Sequence, residues 1–154
     1  MTTSEGKTLE ATVEVAATPE RVWELVSDLP RMASWSPQVV RTFQRGPTGI
    51  GTRMVNINRS GWKVWPTRSK VIRYEPPREI AFRVKDNLTI WSYTLEPTPT
   101  GGTRIVQRRE APDGLAPSAA RLQGLAMGGV DRFDEEVEAG MRVTLERIRA
   151  ELGG

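Results

Sequence analysis

The chain has 154 residues, of which 38% are hydrophobic and 27% are charged, and it carries a net charge of +3. This length predicts one globular domain, because a chain of this size can bury about 70% of its unfolded surface around a single core. The chain contains no cysteine and no histidine, which excludes thiol nucleophiles, disulfides, zinc sites built from those residues and catalysis by a histidine base.

The N-terminal part predicts one strand followed by two helical segments. Alternating apolar and polar residues over Thr8–Ala17 indicate a half-buried strand. Residues 18–20 (TPE) predict a helix start, with Thr18 as the N-cap, a proline at the first helical position and an early acid. Pro30 ends this helix, and a short helical turn is expected over Arg31–Trp35.

Between Val39 and Glu110 the pattern changes to a period of two, which predicts six further strands in an antiparallel meander. The predicted strands are Val39–Gln44, Thr52–Arg59, Trp62–Tyr74, Glu79–Val84, Leu88–Leu95 and Thr103–Glu110. Turns rich in glycine and proline separate them. Pro66 lacks an amide hydrogen, so its part of the third of these strands should lie at an edge, a bend or a bulge.

The C-terminal part predicts helices. A short helix is expected over Ser118–Met127, and apolar residues at steps of three and four predict a long amphipathic helix from Val130 to Leu152. Because this helix is the only long cover available to the sheet, we expect an α+β fold with a curved antiparallel sheet around it and a hollow between them. The domain should span residues 8–152, with flexible ends at 1–7 and 153–154.

Four stretches of sequence resemble the polyketide cyclase/dehydrase family of the START-like (SRPBCC, helix-grip) superfamily, in an actinobacterial form. They are residues 18–37 (TPERVWELVSDLPRMASWSP), 74–84 (YEPPREIAFRV), 91–105 (WSYTLEPTPTGGTRI) and 140–152 (GMRVTLERIRAEL). The resemblance covers Thr8 to Leu152 and implies a ligand pocket between the sheet and the last helix. This superfamily contains carriers as well as enzymes, so the fold does not fix the function.

Alternation within the strands then indicates which side chains line that pocket. Met54, Asn56 and Asn58 share one face, and the two amides could bind a carbonyl or a hydroxyl group. The alternative for Asn58 is a role in the turn at residues 60–61. An aromatic wall is predicted from Trp35, Trp65, Phe82, Trp91 and Tyr93, with ordinary core packing as the alternative.

Tyr93 has the only hydroxyl in the aromatic wall. Because the usual pKa of tyrosine is about 10, its hydroxyl suits donation to a carbonyl better than proton abstraction. On the last strand, Gln107 and Arg109 share the face of Ile105, and a desolvated arginine could hold a carboxylate or an enolate oxygen. The alternative is an exposed strand end, because residues 108–110 form a charged run.

The long helix completes the predicted lining with Phe133, Val137 and Met141. Acidic residues at its start are explained by the helix dipole, although Asp134 is placed to reach the mouth of the pocket. No carboxylate spacing indicates a metal site, so neither a metal nor another cofactor is predicted.

Residues 29–95 contain twelve bases and three acids, whereas the flanking segments are acidic. Arg68, Lys70, Arg83 and Lys85 should lie on the outer face of the sheet, where a solvated surface is the favoured interpretation. The alternative is an anionic partner. A nucleic acid is not favoured, because no aromatic residues are interleaved with these bases.

Three functions therefore stay open from the sequence. The favoured one is a carrier or sensor of a small, mostly apolar, aromatic or polyketide-like molecule. The second is a cyclase/dehydrase-type enzyme in which Tyr93, Asn56 and Arg109 shape the substrate and polarise a carbonyl. The third is an RNA-binding or protein-binding module that uses the basic face. We also expect no membrane span, a cytoplasmic location and the option of a homo-oligomer.

Overall fold

A computed structural model describes residues 8–112 and 130–154, with side chains described from 8 to 112 and from 134 to 154. The strands are β1 (Leu9–Val15), β2 (Val39–Gln44), β3 (Arg53–Ser60), β4 (Lys63–Glu75), β5 (Glu79–Val84), β6 (Ile90–Pro97) and β7 (Thr103–Glu110). The helices are α1 (Pro19–Val26), a 3-10 helix (Leu29–Ser34) and α2 (Val130–Glu151). No described helix is long and apolar enough to cross a membrane.

The seven strands form one antiparallel sheet in the order β1-β7-β6-β5-β4-β3-β2. The meander predicted for the six later strands is confirmed, and β1 joins it by pairing with β7 along its whole length, from Leu9 opposite Arg109 to Val15 opposite Thr103. Helix α2 packs against β1 and β7, and the 3-10 helix packs against β2. The α+β architecture is therefore as predicted, and we call the face of the sheet toward α2 the inner face.

The start of α1 follows the predicted capping chemistry. The Oγ1 atom of Thr18 accepts a hydrogen bond from the backbone N–H of Arg21 at 3.2 Å, and Pro19 occupies the first helical position. The following helical turn begins two residues earlier than predicted, at Leu29, because the fixed φ of Pro30 suits the first turn of a 3-10 helix as well as it suits a helix end.

The strand predicted from Leu88 begins at Ile90 instead. Leu88 has a φ of 63°, a left-handed conformation that ends strand pairing there. The side-chain oxygen of Asn87 accepts hydrogen bonds from the backbone N–H of Thr89 at 3.1 Å and from its hydroxyl at 2.6 Å. This local turn competes with the strand pattern and extends the β5–β6 loop by two residues.

Pro66 lies at an edge position of β4, which is one of the alternatives predicted for it. The proline pairs with Ile57 of β3, while β5 pairs with β4 only from Ser69 onward, so Pro66 lies where β4 has one neighbour. Further along, the register with β5 shifts between Val71 and Arg73. The extra residue, Ile72, forms a bulge that reverses which side chains face inward after it.

One apolar core fills the space between α1, the 3-10 helix, α2 and one end of the sheet. Its most buried members include Val22, Leu25, Ile80, Ile105 and Ile148. Helix α2 ends at Glu151, one residue before the predicted end, and the carbonyl of Gly154 accepts a hydrogen bond from Ala16 N at 3.1 Å. The predicted helix over Ser118–Met127 and the predicted flexible residues 1–7 lie outside the described residues.

Candidate ligand-binding site

A cavity of about 670 Å³ lies between the inner face of the sheet, the 3-10 helix and α2. Its volume is within the range of about 300–1,000 Å³ that small-molecule sites occupy. The larger apolar side chains along its wall are Met32, Trp65, Phe82, Trp91, Val137 and Met141. The cavity wall therefore includes three of the predicted aromatic residues, Trp65, Phe82 and Trp91. It also includes Val137 and Met141, which were predicted to line the cavity from the long helix.

The strand register explains why the polar lining residues stand together. Trp91 of β6 pairs with Arg109 of β7, and Tyr93 pairs with Gln107 in the next inward-facing row. Phe82 of β5 pairs with Trp91 on its other side. Because paired residues on one face have Cβ atoms about 5 Å apart, these side chains form a continuous patch that is aromatic on one side and polar on the other.

Tyr93 presents a protonated hydroxyl in this patch. Burial raises the pKa of its phenol far above the usual value, so the hydroxyl keeps its proton at neutral pH. Its oxygen accepts a hydrogen bond from Gln107 Nε2 at 3.4 Å. No acceptor for the Tyr93 proton is found among the described residues, so that proton is available to a molecule in the cavity.

Gln107 adds an acceptor beside this donor. The residue is 6% exposed, and its Oε1 atom is buried without a hydrogen-bond partner in the described part of the chain. A buried carbonyl oxygen left without a donor costs about 1–3 kcal/mol. A ligand hydroxyl or amine placed here would satisfy it. The Tyr93–Gln107 pair therefore offers one donor and one acceptor side by side.

Arg109 is buried, and the predicted alternative of an exposed strand end is wrong. The residue is 3% exposed, and its Nη1 atom lies 3.3 Å from Oδ1 of Asp134 on α2. Desolvation lowers the pKa of the guanidinium, and the Asp134 carboxylate opposes this shift. The ion pair joins β7 to α2 beside the cavity, so part of the charge that Arg109 brings to the cavity wall is already balanced.

The pairing of Asp134 with Arg109 is a feature of the site that was not predicted from the sequence. The acids at the start of α2 were explained by the helix dipole, and Asp134 was placed within reach of the pocket mouth, but it is 5% exposed and pairs with Arg109 of the sheet. A signal was available, because Asp134, Val137 and Met141 follow the three-and-four spacing of one helix face. An acid on the inward face of an amphipathic helix requires a buried cation or hydrogen-bond donors.

The two predicted amides line the cavity but are held differently. Oδ1 of Asn56 accepts a hydrogen bond from Thr42 at 2.8 Å, and its amide nitrogen has no partner among the described residues. Nδ2 of Asn58 donates to Thr67 Oγ1 at 3.0 Å and to the carbonyl of Trp65 at 3.2 Å. The side chain of Asn58 thus links β3 to β4 instead of bonding to the turn at residues 60–61. The amide nitrogen of Asn56 is the donor that is available to a molecule in the cavity.

Two predicted binding residues do not lie on the cavity wall. Trp35 is 2% exposed and belongs to the apolar core, and its Nε1 atom donates to Glu151 Oε1 at 2.9 Å near the end of α2. Met54 faces inward as predicted, but it is buried in the same core. Alternation gives the face of a strand and not the depth along it, which is why Met54 was included. The side chain of Phe133 lies outside the described residues.

Three threonines, Thr67, Thr89 and Thr144, also line the cavity and were not predicted. Thr67 pairs with Asn56 across β3 and β4, so its position follows once the register is known. Thr144 lies on α2 beyond Met141, and its hydroxyl donates to the carbonyl of Gly140 at 3.0 Å. None of the three stands out in the sequence, because a threonine suits a strand, a loop or a helix surface equally well without a ligand.

The remaining predictions for the site concern metals and the outer face. Within residues 8–112 and 134–154, no group of histidine, cysteine, aspartate or glutamate side chains could hold a metal ion. Arg68, Lys70, Arg83 and Lys85 are exposed, as the alternation predicts. The polar groups that line the described site include those of Tyr93, Gln107, Asn56 and Arg109, and they can form hydrogen bonds and stabilise charge.

A family model described as "Polyketide cyclase / dehydrase and lipid transport" matches residues 7–153. The chain belongs to this family. The resemblance seen in the four sequence stretches is therefore confirmed over nearly the whole chain. No curated protein matches the sequence, so the family assignment rests on the family model, and the fold is supported by comparison with solved structures.

Several solved structures share the helix-grip fold of this family member. The di-domain aromatase/cyclase StfQ of the steffimycin pathway has a TM-score of 0.73 and 18% identity, with 93% of this chain and 49% of StfQ covered. The ZhuI aromatase/cyclase from Streptomyces sp. R1128 has a TM-score of 0.70 and 18% identity, with 96% and 93% covered. A polyketide-cyclase-like protein from Corynebacterium glutamicum has a TM-score of 0.58 and 25% identity, with 94% and 88% covered.

These likenesses establish the fold. The chain spans about half the length of StfQ, and also of BexL, the other di-domain aromatase/cyclase that it matches. The helix-grip architecture, a seven-stranded sheet with a long C-terminal helix, is thus confirmed both in the structure and among its relatives.

Proposed function

We propose that this family member binds a small, mostly apolar molecule of an aromatic or polyketide-like kind in the cavity, as a carrier or sensor. The observation that supports this most is the cavity itself, about 670 Å³ with Trp65, Phe82 and Trp91 on one wall. Flat aromatic ligands gain buried area and favourable ring contacts against such side chains. The cytoplasmic location stays a prediction alongside this function.

Two substitutions on α2 test whether the cavity binds such a molecule. Thr144→Phe adds a ring on the cavity side of the helix, whereas Val143→Phe adds the same ring at the neighbouring position, which is 39% exposed and off the cavity wall. With emodin, a three-ring polyketide-type aromatic, as the probe, we expect a raised melting temperature for the wild type. Affinity should fall at least about tenfold in Thr144→Phe, because the ring occupies ligand space, and stay unchanged in Val143→Phe.

Calorimetry measures the affinity of each variant for emodin, and thermal-shift experiments measure the change in melting temperature. A loss confined to Thr144→Phe supports the cavity as the binding site. No melting shift with emodin, or equal binding by the wild type and Thr144→Phe, would contradict the proposal.

The second candidate function is a cyclase/dehydrase-type enzyme, and the Tyr93 hydroxyl is the observation that favours it. A buried, protonated hydroxyl without an acceptor among the described residues can donate to a substrate carbonyl and stabilise charge on its oxygen as an enolate forms. Arg109 and Asn56 would add positive charge and a further donor. Without a histidine, this chemistry would depend on substrate folding and carbonyl polarisation rather than on strong acid–base catalysis.

A matched pair of probes tests the carbonyl contact. Anthraquinone-2-sulfonate and anthracene-2-sulfonate differ only in the two ring carbonyls. We expect Tyr93→Phe to weaken anthraquinone-2-sulfonate binding by about fivefold to tenfold, the usual effect of losing one hydrogen bond, and to leave anthracene-2-sulfonate binding unchanged. Equal effects on both probes would remove Tyr93 as the carbonyl donor.

A further inference from the structure

The loop between β3 and β4 carries the most exposed tryptophan of the described residues. Ser60 pairs with Lys63, so the loop itself consists of Gly61 and Trp62. Gly61 has a φ of 62°, which suits the tight turn that joins two antiparallel strands. Trp62 is 87% exposed, and Val64 just after it is 61% exposed. The hairpin therefore ends in a projecting apolar tip that makes little contact with the rest of the protein.

The charge around this tip has one sign. Lys63 Nζ lies 5.9 Å from the centroid of the Trp62 ring, and Arg59 donates from Nε to the carbonyl of Gly61 at 3.0 Å. Residues 38–70, which include β2, β3 and the first half of β4, contain seven bases and no acid. Of these bases, only Arg68 has a carboxylate partner among the described residues, namely Asp86. An anionic surface is the electrostatic complement of this hairpin and the strand beside it.

The hairpin also borders the cavity. Arg59, Ser60 and Gly61 belong to the cavity lining, and Trp65 of the same hairpin is one of its aromatic walls. Because Arg59, Ser60 and Gly61 are exposed, they lie where the cavity meets the protein surface. A partner that contacts the tip would therefore lie next to this border of the cavity.

We propose that the β3–β4 hairpin tip docks the protein onto an anionic lipid bilayer, with Trp62 in the headgroup region and Lys63 and Arg59 on the lipid phosphates. Tryptophan favours the membrane–water interface because its ring is both apolar and a hydrogen-bond donor, and nearby Lys and Arg side chains are attracted by anionic lipids. A projecting two-residue tip fits a deformable lipid surface. A specific protein interface needs about 800 Å² from each partner, which such a tip does not supply.

This docking does not depend on the occupant of the cavity, since it rests on residues of the outer tip. It can therefore be tested without the ligand, and its failure would leave the proposed binding function standing. Where both hold, the ligand would exchange between the bilayer and the adjacent cavity.

Co-sedimentation with vesicles tests the docking directly. We use phosphatidylcholine vesicles with roughly one lipid in three replaced by phosphatidylglycerol, and pure phosphatidylcholine as the uncharged reference. The wild type should bind the anionic vesicles and bind the reference weakly. We expect Trp62→Ala to lower the partition coefficient about tenfold, and Lys63→Glu to lower it at least about fivefold, because each basic charge near an anionic surface contributes about that factor.

Two control variants match these changes at the other end of β3. Ile50→Ala removes an apolar side chain that is 67% exposed in the β2–β3 loop, and Lys70→Glu reverses an exposed charge that pairs in register with Arg53. Both should bind anionic vesicles like the wild type. In addition, lipids brominated near the headgroup should quench tryptophan fluorescence in the wild type more than in Trp62→Ala.

Three results would overturn the proposal. The first is no binding of the wild type to anionic vesicles, which would leave a protein partner for the tip. The second is equal binding by the wild type and Trp62→Ala. The third is equal loss in Lys63→Glu and Lys70→Glu, which would indicate a diffuse attraction by the whole basic face.

Discussion

At the scale of single residues, the buried ion pair between Arg109 and Asp134 has a direct consequence for stability. Both side chains are almost fully buried, 3% and 7% exposed, and one lies on the sheet while the other lies on α2. Removing a charge from water costs several kcal/mol, which the partner charge largely offsets. If either residue alone is replaced by a neutral one, the remaining charge is buried without an opposite charge beside it.

We therefore expect Asp134→Asn to lower the free energy of unfolding by about 3 kcal/mol. The double variant Arg109→Met with Asp134→Leu should recover most of that loss, since an apolar pair of similar size has no charge to desolvate. Urea unfolding followed by circular dichroism measures both values.

The exposed pair Arg108–Glu10, with its atoms 2.6 Å apart on the neighbouring strands, is the matched control. Glu10→Gln should change stability by less than about 1 kcal/mol, because water screens an exposed pair. An effect of Asp134→Asn no larger than that of Glu10→Gln would show that the buried pair does not join β7 to α2 energetically.

At the scale of elements, three side-chain contacts join the 3-10 helix region to the end of α2. Glu151 accepts a hydrogen bond from the indole of Trp35 at 2.9 Å and lies 3.2 Å from Nη1 of Arg31. Arg147 of α2 also donates a hydrogen bond from its side chain to the backbone carbonyl of Trp35 at 3.2 Å. Trp35 was predicted to bind ligand, and its position makes it instead a link between two helical segments.

Glu151→Ala removes the carboxylate from both of these contacts. We expect the amides in the last turn of α2 to exchange with solvent about tenfold faster, because local opening should cost about 1–2 kcal/mol less. Hydrogen exchange measured by NMR gives these rates. Glu146→Ala, which removes only an exposed pair with Arg149 at 3.6 Å, is the control. The same acceleration in both variants would mean that helix charge, and not the Trp35 contact, holds this turn.

The helices and strands were largely predictable from sequence because each has a regular pattern of burial. Local sequence patterns match the elements that form in the structure. They include the hydroxyl cap of Thr18, the alternation along β7 and the three-and-four spacing of α2. Leu88 shows where this fails, since its left-handed backbone follows from the side-chain bonds of Asn87 to Thr89 and not from its own apolar character.

At the scale of the whole molecule, the faces of the strands were predictable and the division between core and cavity was not. The inward positions of Tyr93, Gln107 and Arg109 follow from alternation alone. Whether an inward side chain meets α2, another core residue or empty space depends on tertiary packing far along the chain. Met54 was placed on the wall for this reason although it is buried in the core, and the pairing of Arg109 with Asp134 of α2 was not predicted.

The bulge at Ile72 has a consequence for how this protein can change over evolutionary time. Before the bulge, β4 turns Thr67 toward the cavity; after it, β4 turns Tyr74 toward α1, where its ring centroid lies 5.5 Å from that of Trp23. The first half of β4 therefore faces the cavity, whereas its second half packs against α1. Because the bulge separates them, the inward positions of the two halves are independent of each other. Substitutions in the first half can alter ligand preference without disturbing the packing of the second, so related proteins can diverge in specificity while keeping one stable scaffold.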